Sequence, residues 1–249
     1  MKKLVICIFI FMASFVVSCG NKGGKGGDMN DSLGSKERAK GDSTLYGLAC
    51  EGCTDSVLVF LSFDGGDPVT FNIIDASKKK RIIGKPETGD WVGVVLNSKD
   101  RKKADMVIDL DQLKGRWVYM AMPKVREKAS ASTNVYVDKQ EEDSILQSLM
   151  VPREQGFALK RNSIAETIGF SYKDMDNEES PVVYPEVRHY TDWGIFNGRL
   201  VLSGKAHRGR GTKPSAKSKA VSDTADFVFM MKDSLQLRFN DGVRCYYRK

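Results

Sequence analysis

Residues 113–119 carry the sequence Leu-Lys-Gly-Arg-Trp-Val-Tyr, which opens the larger of two folded regions that we distinguish in the chain. We predict a first strand over 116–122. Further candidate strands follow, many with alternating apolar and polar positions, the pattern of a strand with one buried face. They cover 156–161, 163–170, 188–195, 199–205, 224–231, 234–239 and 243–248.

Short turn signals separate several of these strands. Asn197-Gly198 and Asp241-Gly242 are dipeptides typical of tight hairpins between antiparallel strands. Eight antiparallel strands are enough to close a barrel that can hold one small ligand. We therefore predict an all-β protein with an eight-stranded up-and-down barrel over residues 112–249.

The same half of the chain resembles a known family. Gly115-x-Trp117 on the first strand is similar to the Gly-x-Trp signature of lipocalins. Over residues 113–249, the order of the following motifs resembles the lipocalin-like domain of Bacteroidetes lipoproteins. These motifs are Gly-Phe-Ala-Leu at 156–159, Ser-Ile-Ala-Glu at 163–166, Tyr-Thr-Asp-Trp at 190–193, Asn-Gly-Arg-Leu-Val-Leu-Ser at 197–203, Asp-Ser-Leu-Gln-Leu at 233–237 and Tyr-Tyr-Arg at 246–248.

This resemblance implies a barrel that binds a small apolar or amphipathic molecule. It also implies that Trp117 closes the bottom of the barrel, beneath an arginine near the end of the last strand. Arg248 and Arg238 are both candidates for that arginine.

Four aromatic side chains are candidates for the wall of a ligand cavity. The core of a small barrel needs the same kind of residue, so the sequence leaves open whether they contact ligand or fill the core. They are Tyr119, Phe157, Trp193 and Phe229.

Two segments lie between the predicted strands. Residues 138–150 are predicted to form an inserted helix with Ile145, Leu146, Leu149 and Met150 on one side, placed to cap the open end. Residues 205–219 contain six Lys or Arg side chains and no acid, and predict a long loop. Such a loop either meets anionic headgroups or glycans, or is simply solvated.

The region of 45–111 is predicted to be a separate small β-domain. Short apolar runs alternate there with turn signals, as in an antiparallel barrel, and 89–95 favour an oligomer-binding (OB-like) barrel. Basic residues cluster at 78–81 and 101–103 without interleaved aromatics, so no nucleic-acid partner is expected.

The N-terminus predicts export and lipid anchoring. Lys2 and Lys3 precede an apolar run of 4–17, which is too short to span a bilayer but is typical of a signal peptide over 1–18. Val-Val-Ser-Cys-Gly at 16–20 resembles the bacterial lipobox, which implies lipidation of Cys19. By resemblance to enterobacterial lipoprotein sorting, Gly rather than Asp at position 20 implies the outer membrane. The polar composition of 19–44 predicts a flexible tether.

Three cysteines remain in the folded part. Cys50 and Cys53 flank a predicted tight turn, and we predict a structural disulfide between them, with redox chemistry and metal binding as alternatives. Thr54 excludes a c-type haem site, which needs histidine there. Cys245 is then expected to be an unpaired, buried thiol.

The remaining composition favours a binding protein rather than an enzyme. Removal of residues 1–18 takes away two lysines, so the net charge of +7 falls to a mildly basic +5. We find no Gly-x-Ser-x-Gly motif and no histidine pair spaced for a metal, and we predict no catalytic residue, metal or cofactor. Two functions stay open: a lipid-anchored carrier of a small molecule, and an envelope module that binds glycan or protein through its loops.

Overall fold

The structure is a computed structural model. It describes residues 40–126, 144, 146–169, 181–204 and 221–249, and all of these belong to one compact unit, Ser32–Lys249. None of the helices in these ranges is long and apolar enough to cross a membrane.

Several sequence predictions fall outside the described residues. The signal peptide, the lipidation of Cys19, nearly all of the tether and the basic loop of 205–219 belong to this group. The predicted helix of 138–150 lies largely outside as well, although residues 146–149 are helical.

The first of two main sheets has six strands. Its elements are β1 (Thr44–Ala49), β2 (Val57–Ser62), β3 (Val69–Asn72), α1 (Ile74–Lys78), β4 (Ile82–Ile83), β5 (Trp91–Leu96) and β6 (Ala104–Asp109). The strand order is β3-β2-β1-β5-β6-β4; β4 runs parallel to β6, and the other pairs are antiparallel. A parallel bridge between Asn72 and Lys103 joins the end of β3 to the residue before β6, so the sheet curls back on itself.

Alternation along these strands builds a hydrophobic core. Leu58 and Phe60 of β2 point inward and pack with Val92 and Val94 of β5, and all four are buried. The Phe60 ring lies 5.7 Å from the Phe71 ring of β3. Burial of this apolar surface is the main stabilising contribution to the module.

The second main sheet has eight antiparallel strands. They are β7 (Gly115–Ala121), β9 (Arg153–Leu159), β10 (Ala165–Ile168), β12 (Asp192–Phe196), β13 (Arg199–Gly204), β14 (Val221–Met230), β15 (Ser234–Phe239) and β16 (Gly242–Arg248). Each strand pairs with the next along the chain, apart from β10 and β12, and β16 returns to pair with β7. A small separate ribbon pairs β8 (Lys124–Val125) with β11 (Val182–Val183).

The eight strands form a nearly closed barrel. The remaining gap, between β10 and β12, is spanned by an Ile164–Asp192 bridge and by two backbone hydrogen bonds, Ala165 N–H to Thr191 O at 2.9 Å and Trp193 N–H to Ser163 O at 2.8 Å. The predictions of an all-β chain and of an eight-stranded antiparallel barrel are confirmed.

The predicted hairpin dipeptides lie at turns. Asn197 and Gly198 both adopt left-handed conformations, with φ of 49° and 73°, and connect β12 to β13 in two residues. This is the turn that matches the twist of adjacent strands. The second turn is displaced by one residue, because Gly242 already pairs with Phe239 and the loop is Asn240-Asp241.

The two sheets meet at one end of the barrel. The Asn197-Gly198 turn docks there: Asn197 N–H donates to Asp42 Oδ1 at 2.9 Å, and Gly198 N–H donates to Thr44 Oγ1 at 3.2 Å. The Tyr46 hydroxyl donates to Ile195 O at 2.8 Å. These bonds fix the small sheet against the bottom of the barrel.

A single hydrophobic cluster continues across this junction. Tyr46, Met106 and Ile108 of the first sheet pack in the same cluster as Trp193 and Leu200 of the barrel. The predicted domain boundary between residues 111 and 112 falls inside a short helix, α2 (Leu110–Leu113), whose leucines at both ends are fully buried. The first sheet therefore serves as a base for the barrel.

Candidate ligand-binding site at the barrel mouth

Trp117 lies at the end of the barrel that faces the first sheet. Its side chain is fully buried, and the indole Nε1 donates to Leu113 O at 2.7 Å. The Arg248 guanidinium lies 4.2 Å from the centre of the ring and donates to Lys114 O at 2.7 Å. Of the two candidate arginines Arg248 is therefore the partner, whereas Arg238 is exposed.

The lower half of the barrel is filled with side chains. Leu200, Leu202, Leu235 and Leu237 are buried from strands on one side of the barrel. Trp193 is 3% exposed in the same cluster, and its Nε1 donates to Lys160 O at 2.8 Å. Trp193 is therefore a core residue.

The opposite end of the barrel holds a cavity of about 330 Å³, which we call the mouth. Its lining mixes aromatic with charged side chains. The aromatic ones are Tyr119, Phe157, Tyr190, Phe239 and Tyr246, and the charged ones are Glu186, Arg188, Asp223, Asp241 and Arg244.

Three aromatic rings form the floor of the mouth. Tyr246 meets Tyr119 edge to face at 5.4 Å between ring centres and lies 5.0 Å from Phe157. Burial raises the pKa of Tyr246 well above its ordinary value, so this phenol remains protonated at physiological pH. The floor thus combines apolar surface with a phenolic hydroxyl.

Arg244 stands beside these rings. It lies on β16 two residues before Tyr246, and strand alternation therefore turns both side chains toward the barrel interior. The guanidinium pairs with Asp241 at 2.5 Å and lies 4.9 Å from the centre of the Phe239 ring. Its charge and hydrogen bonding also act on the phenols of Tyr119 and Tyr246, which are within its reach.

Residues 184–190, which we call the strap, border the mouth on another side. The Tyr184 hydroxyl donates to Val151 O at 2.6 Å, and Gln155 Nε2 donates to Pro185 O at 3.1 Å. Thr167 Oγ1 donates to Arg188 O at 2.9 Å. These bonds hold the strap to β9, to β10 and to the residues just before β9.

Asp223 holds the far end of the strap. Its carboxylate accepts a hydrogen bond from the Tyr190 hydroxyl at 2.5 Å and forms an ion pair with Arg188. The Asp223 side chain is 13% exposed, so its charge is compensated by these two partners in a largely desolvated place. Burial and this hydrogen bond raise the pKa of Tyr190.

The four aromatic residues that were predicted to line a cavity lie in different places in the structure. Tyr119 and Phe157 line the mouth, whereas Trp193 lies in the core. The prediction for Phe229 is wrong, because this ring lies on the outside of the barrel and is 40% exposed. A β-bulge between Phe227 and Phe229 shifts the alternation by one position, so Met230 points inward instead.

Sequence reasoning missed the polar part of the mouth. Gln155, Asp223 and Arg244 come from three strands that are far apart in the chain. One signal was present, since Arg244 and Tyr246 share one face of the last predicted strand. No local pattern indicated that Gln155 and Asp223 belong to the same site.

The cysteines differ from their prediction. Cys50 and Cys53 are free thiols in the structure, so the predicted disulfide is absent. The tight turn itself forms, but the Cys53 sulfur contacts its backbone: the thiol donates to Cys50 O at 3.1 Å and accepts from Val59 N–H at 3.3 Å. Cys245 is exposed rather than buried, because β16 points Tyr246 inward and its neighbours outward.

No protein-family model, curated protein or solved structure matched the chain. Within the described ranges, no three His, Cys, Asp or Glu side chains are grouped to hold a metal ion. The mouth is thus the best-supported candidate site.

Proposed function

We propose that the chain is a non-enzymatic binding protein of the bacterial cell envelope, whose barrel mouth holds a small amphipathic molecule. The observation that carries this proposal is the cavity of about 330 Å³ at one end of the barrel, above a cluster of buried side chains. Its volume lies in the range of small-molecule sites in proteins.

The lining of the mouth supports an amphipathic ligand over a purely apolar one. Phe157, Phe239 and the rings of Tyr119 and Tyr246 offer apolar surface, while Arg244 offers a charge. A purely apolar ligand would remove water from the Arg244 guanidinium and offer no hydrogen bond in return, which is unfavourable. A ligand with one polar end avoids this cost.

The finer fold assignments belong to the same proposal. A lipocalin-like barrel is supported by the consecutive strand pairing, by the return of β16 to β7 and by Arg248 over Trp117. An OB-like first module is supported by a curled sheet in which a helix follows the third strand and a parallel bridge joins Asn72 to Lys103. Fold likeness alone would not establish the function.

The proposed location is the outer membrane, through lipid on Cys19. Support comes from the lipobox-like residues of 16–20 and from the polar tether that follows them. The tether would hold the barrel clear of the lipid surface and leave its mouth accessible.

A second function has one observation in its favour. Met120, Phe229 and Tyr247 are large apolar side chains exposed on the outside of the barrel, at 48%, 40% and 41%. Exposed apolar residues can mark an interaction surface, so an envelope module that binds protein or glycan is the alternative.

Native mass spectrometry of the full chain, purified gently from its own envelope, tests the first proposal. We expect a reproducible added mass, which Val187→Trp removes by filling the mouth. Val243→Trp, on the exposed outer face of β16, is the matched control and should retain the mass. A bare protein mass that stays unchanged when candidate amphiphiles are added would contradict the carrier function and favour the alternative.

A further inference from the structure

The hydrogen-bonding groups in the mouth are not equally available to a ligand. The Tyr119 hydroxyl donates a hydrogen bond to Gln155 Oε1 at 2.9 Å, and Gln155 Nε2 donates one to Pro185 O. The Asp223 carboxylate is occupied by Tyr190 and Arg188. These groups serve the barrel and the strap.

Two donors remain available. Arg244 has five N–H groups, more than Asp241 and the two neighbouring phenol oxygens can use. The Tyr246 hydroxyl is the second: it lies beside the Arg244 guanidinium in the lining of the mouth, where its oxygen accepts from the guanidinium and its proton faces the cavity. A ligand acceptor in the mouth can receive this proton without breaking a hydrogen bond that the barrel or the strap uses.

Asp241, which pairs with Arg244, is positioned so that a ligand can displace it. Asp241 lies in the two-residue loop before β16, its side chain is 58% exposed, and its pairing with Arg244 spans only three residues. An ion pair whose acidic partner is this exposed contributes only modest free energy, because water competes for the carboxylate. Glu186 is also exposed at the rim of the mouth, where water and salt screen its charge.

We propose, building on the proposed function, that the ligand is an organic carboxylate whose headgroup binds Arg244 and Tyr246 and whose apolar body packs on the rings of Tyr119 and Phe157. The planar guanidinium can donate two parallel hydrogen bonds to a carboxylate. The protonated phenol supplies a third. The ligand headgroup displaces Asp241 into water, where that carboxylate is readily solvated.

Three probes with one apolar body test this assignment on the full chain: phenylbutyrate, phenylbutanol and phenylbutylamine. Calorimetric titration should show phenylbutyrate binding at least about tenfold more tightly than the other two, the factor expected for a charge-assisted hydrogen bond. Arg244→Gln should remove this preference, and Tyr246→Phe should weaken phenylbutyrate binding several-fold. Arg238→Gln makes the same charge change on the outer face and should leave binding unchanged.

The competing carboxylate provides a test of opposite sign. Asp241→Asn should tighten phenylbutyrate binding several-fold, because it frees Arg244. Weaker binding in this variant, or a preference for phenylbutylamine, would overturn the carboxylate assignment. Equal binding of all three probes would overturn it as well but would support the proposed carrier function. Binding of none of them would count against both.

Discussion

Replacement of Asp109 by asparagine should stabilise the protein at neutral pH and have little effect near pH 4. Asp109 is 2% exposed and is the N-cap residue of α2, where its Oδ1 accepts from Gln112 N–H at 2.8 Å. Burial, opposed in part by the Gln112 bond and reinforced by Asp90 and Asp111, raises the pKa of this carboxyl from 3.8 to about 6. Asparagine caps helices about as well as aspartate, so the hydrogen bond is retained.

The sign of the effect follows from proton linkage. Between pH 3.8 and about pH 6 the folded state holds the proton on Asp109 while the unfolded chain releases it. The free energy of unfolding therefore falls as pH rises through this interval and stays lower above it. The rise of this pKa from 3.8 to about 6 corresponds to about 3 kcal/mol, the most that Asp109→Asn can recover at pH 7.

Urea unfolding followed by tryptophan fluorescence at pH 4, 5, 6 and 7 measures this difference. The free energy of unfolding of Asp109→Asn should exceed that of the wild type by an amount that increases steadily from pH 4 to pH 7. Asp67→Asn, in the exposed loop between β2 and β3, controls for loss of one negative charge. A gain of the same size at pH 4 and pH 7, or no gain at all, would refute the reasoning.

Further variants test the barrel itself. In Gly156→Ala the new methyl group would lie 1.9 Å from the backbone oxygen of Trp117, so we expect a loss of several degrees in Tm. Gly194→Ala is the control: its methyl group would enter open space, and its Tm should be nearly unchanged. Equal losses of Tm in the two variants would contradict the close packing at Gly156. Trp117→Ala should cost about 3–5 kcal/mol in urea unfolding, and a cost below about 1 kcal/mol would show that this end is not sealed. Asp223→Asn should increase hydrogen exchange in residues 184–190 with little change in the lower barrel, and unchanged exchange would mean that the strap is held by its other bonds.

The outline of the barrel was predictable because strand signals are local. Alternating side chains and the Asn197-Gly198 turn depend on neighbours a few residues apart, and these features recur close to their predicted positions. The observed first strand, Gly115–Ala121, lies one residue from the predicted 116–122. Trp117 at the bottom of the barrel also followed from the sequence, through a family resemblance.

Other features depended on contacts that no local pattern contains. The choice of Arg248 over Arg238 was decided by which face of the sheet each side chain occupies. Phe229 points outward because one bulge reverses the alternation after Phe227. The Cys53 thiol forms a hydrogen bond with the backbone of the turn rather than a disulfide with the Cys50 sulfur.

By itself, the sequence determined the all-β class of the chain and the number of barrel strands, since both depend on patterns within short runs of residues. Only the tertiary structure decided that the first sheet seals one end of the barrel and that the other end remains open. The mouth joins Gln155, Asp223 and Arg244, which meet because the sheet closes on itself. Closure of a barrel is a long-range event, and the distances it sets are not encoded at any one position of the chain.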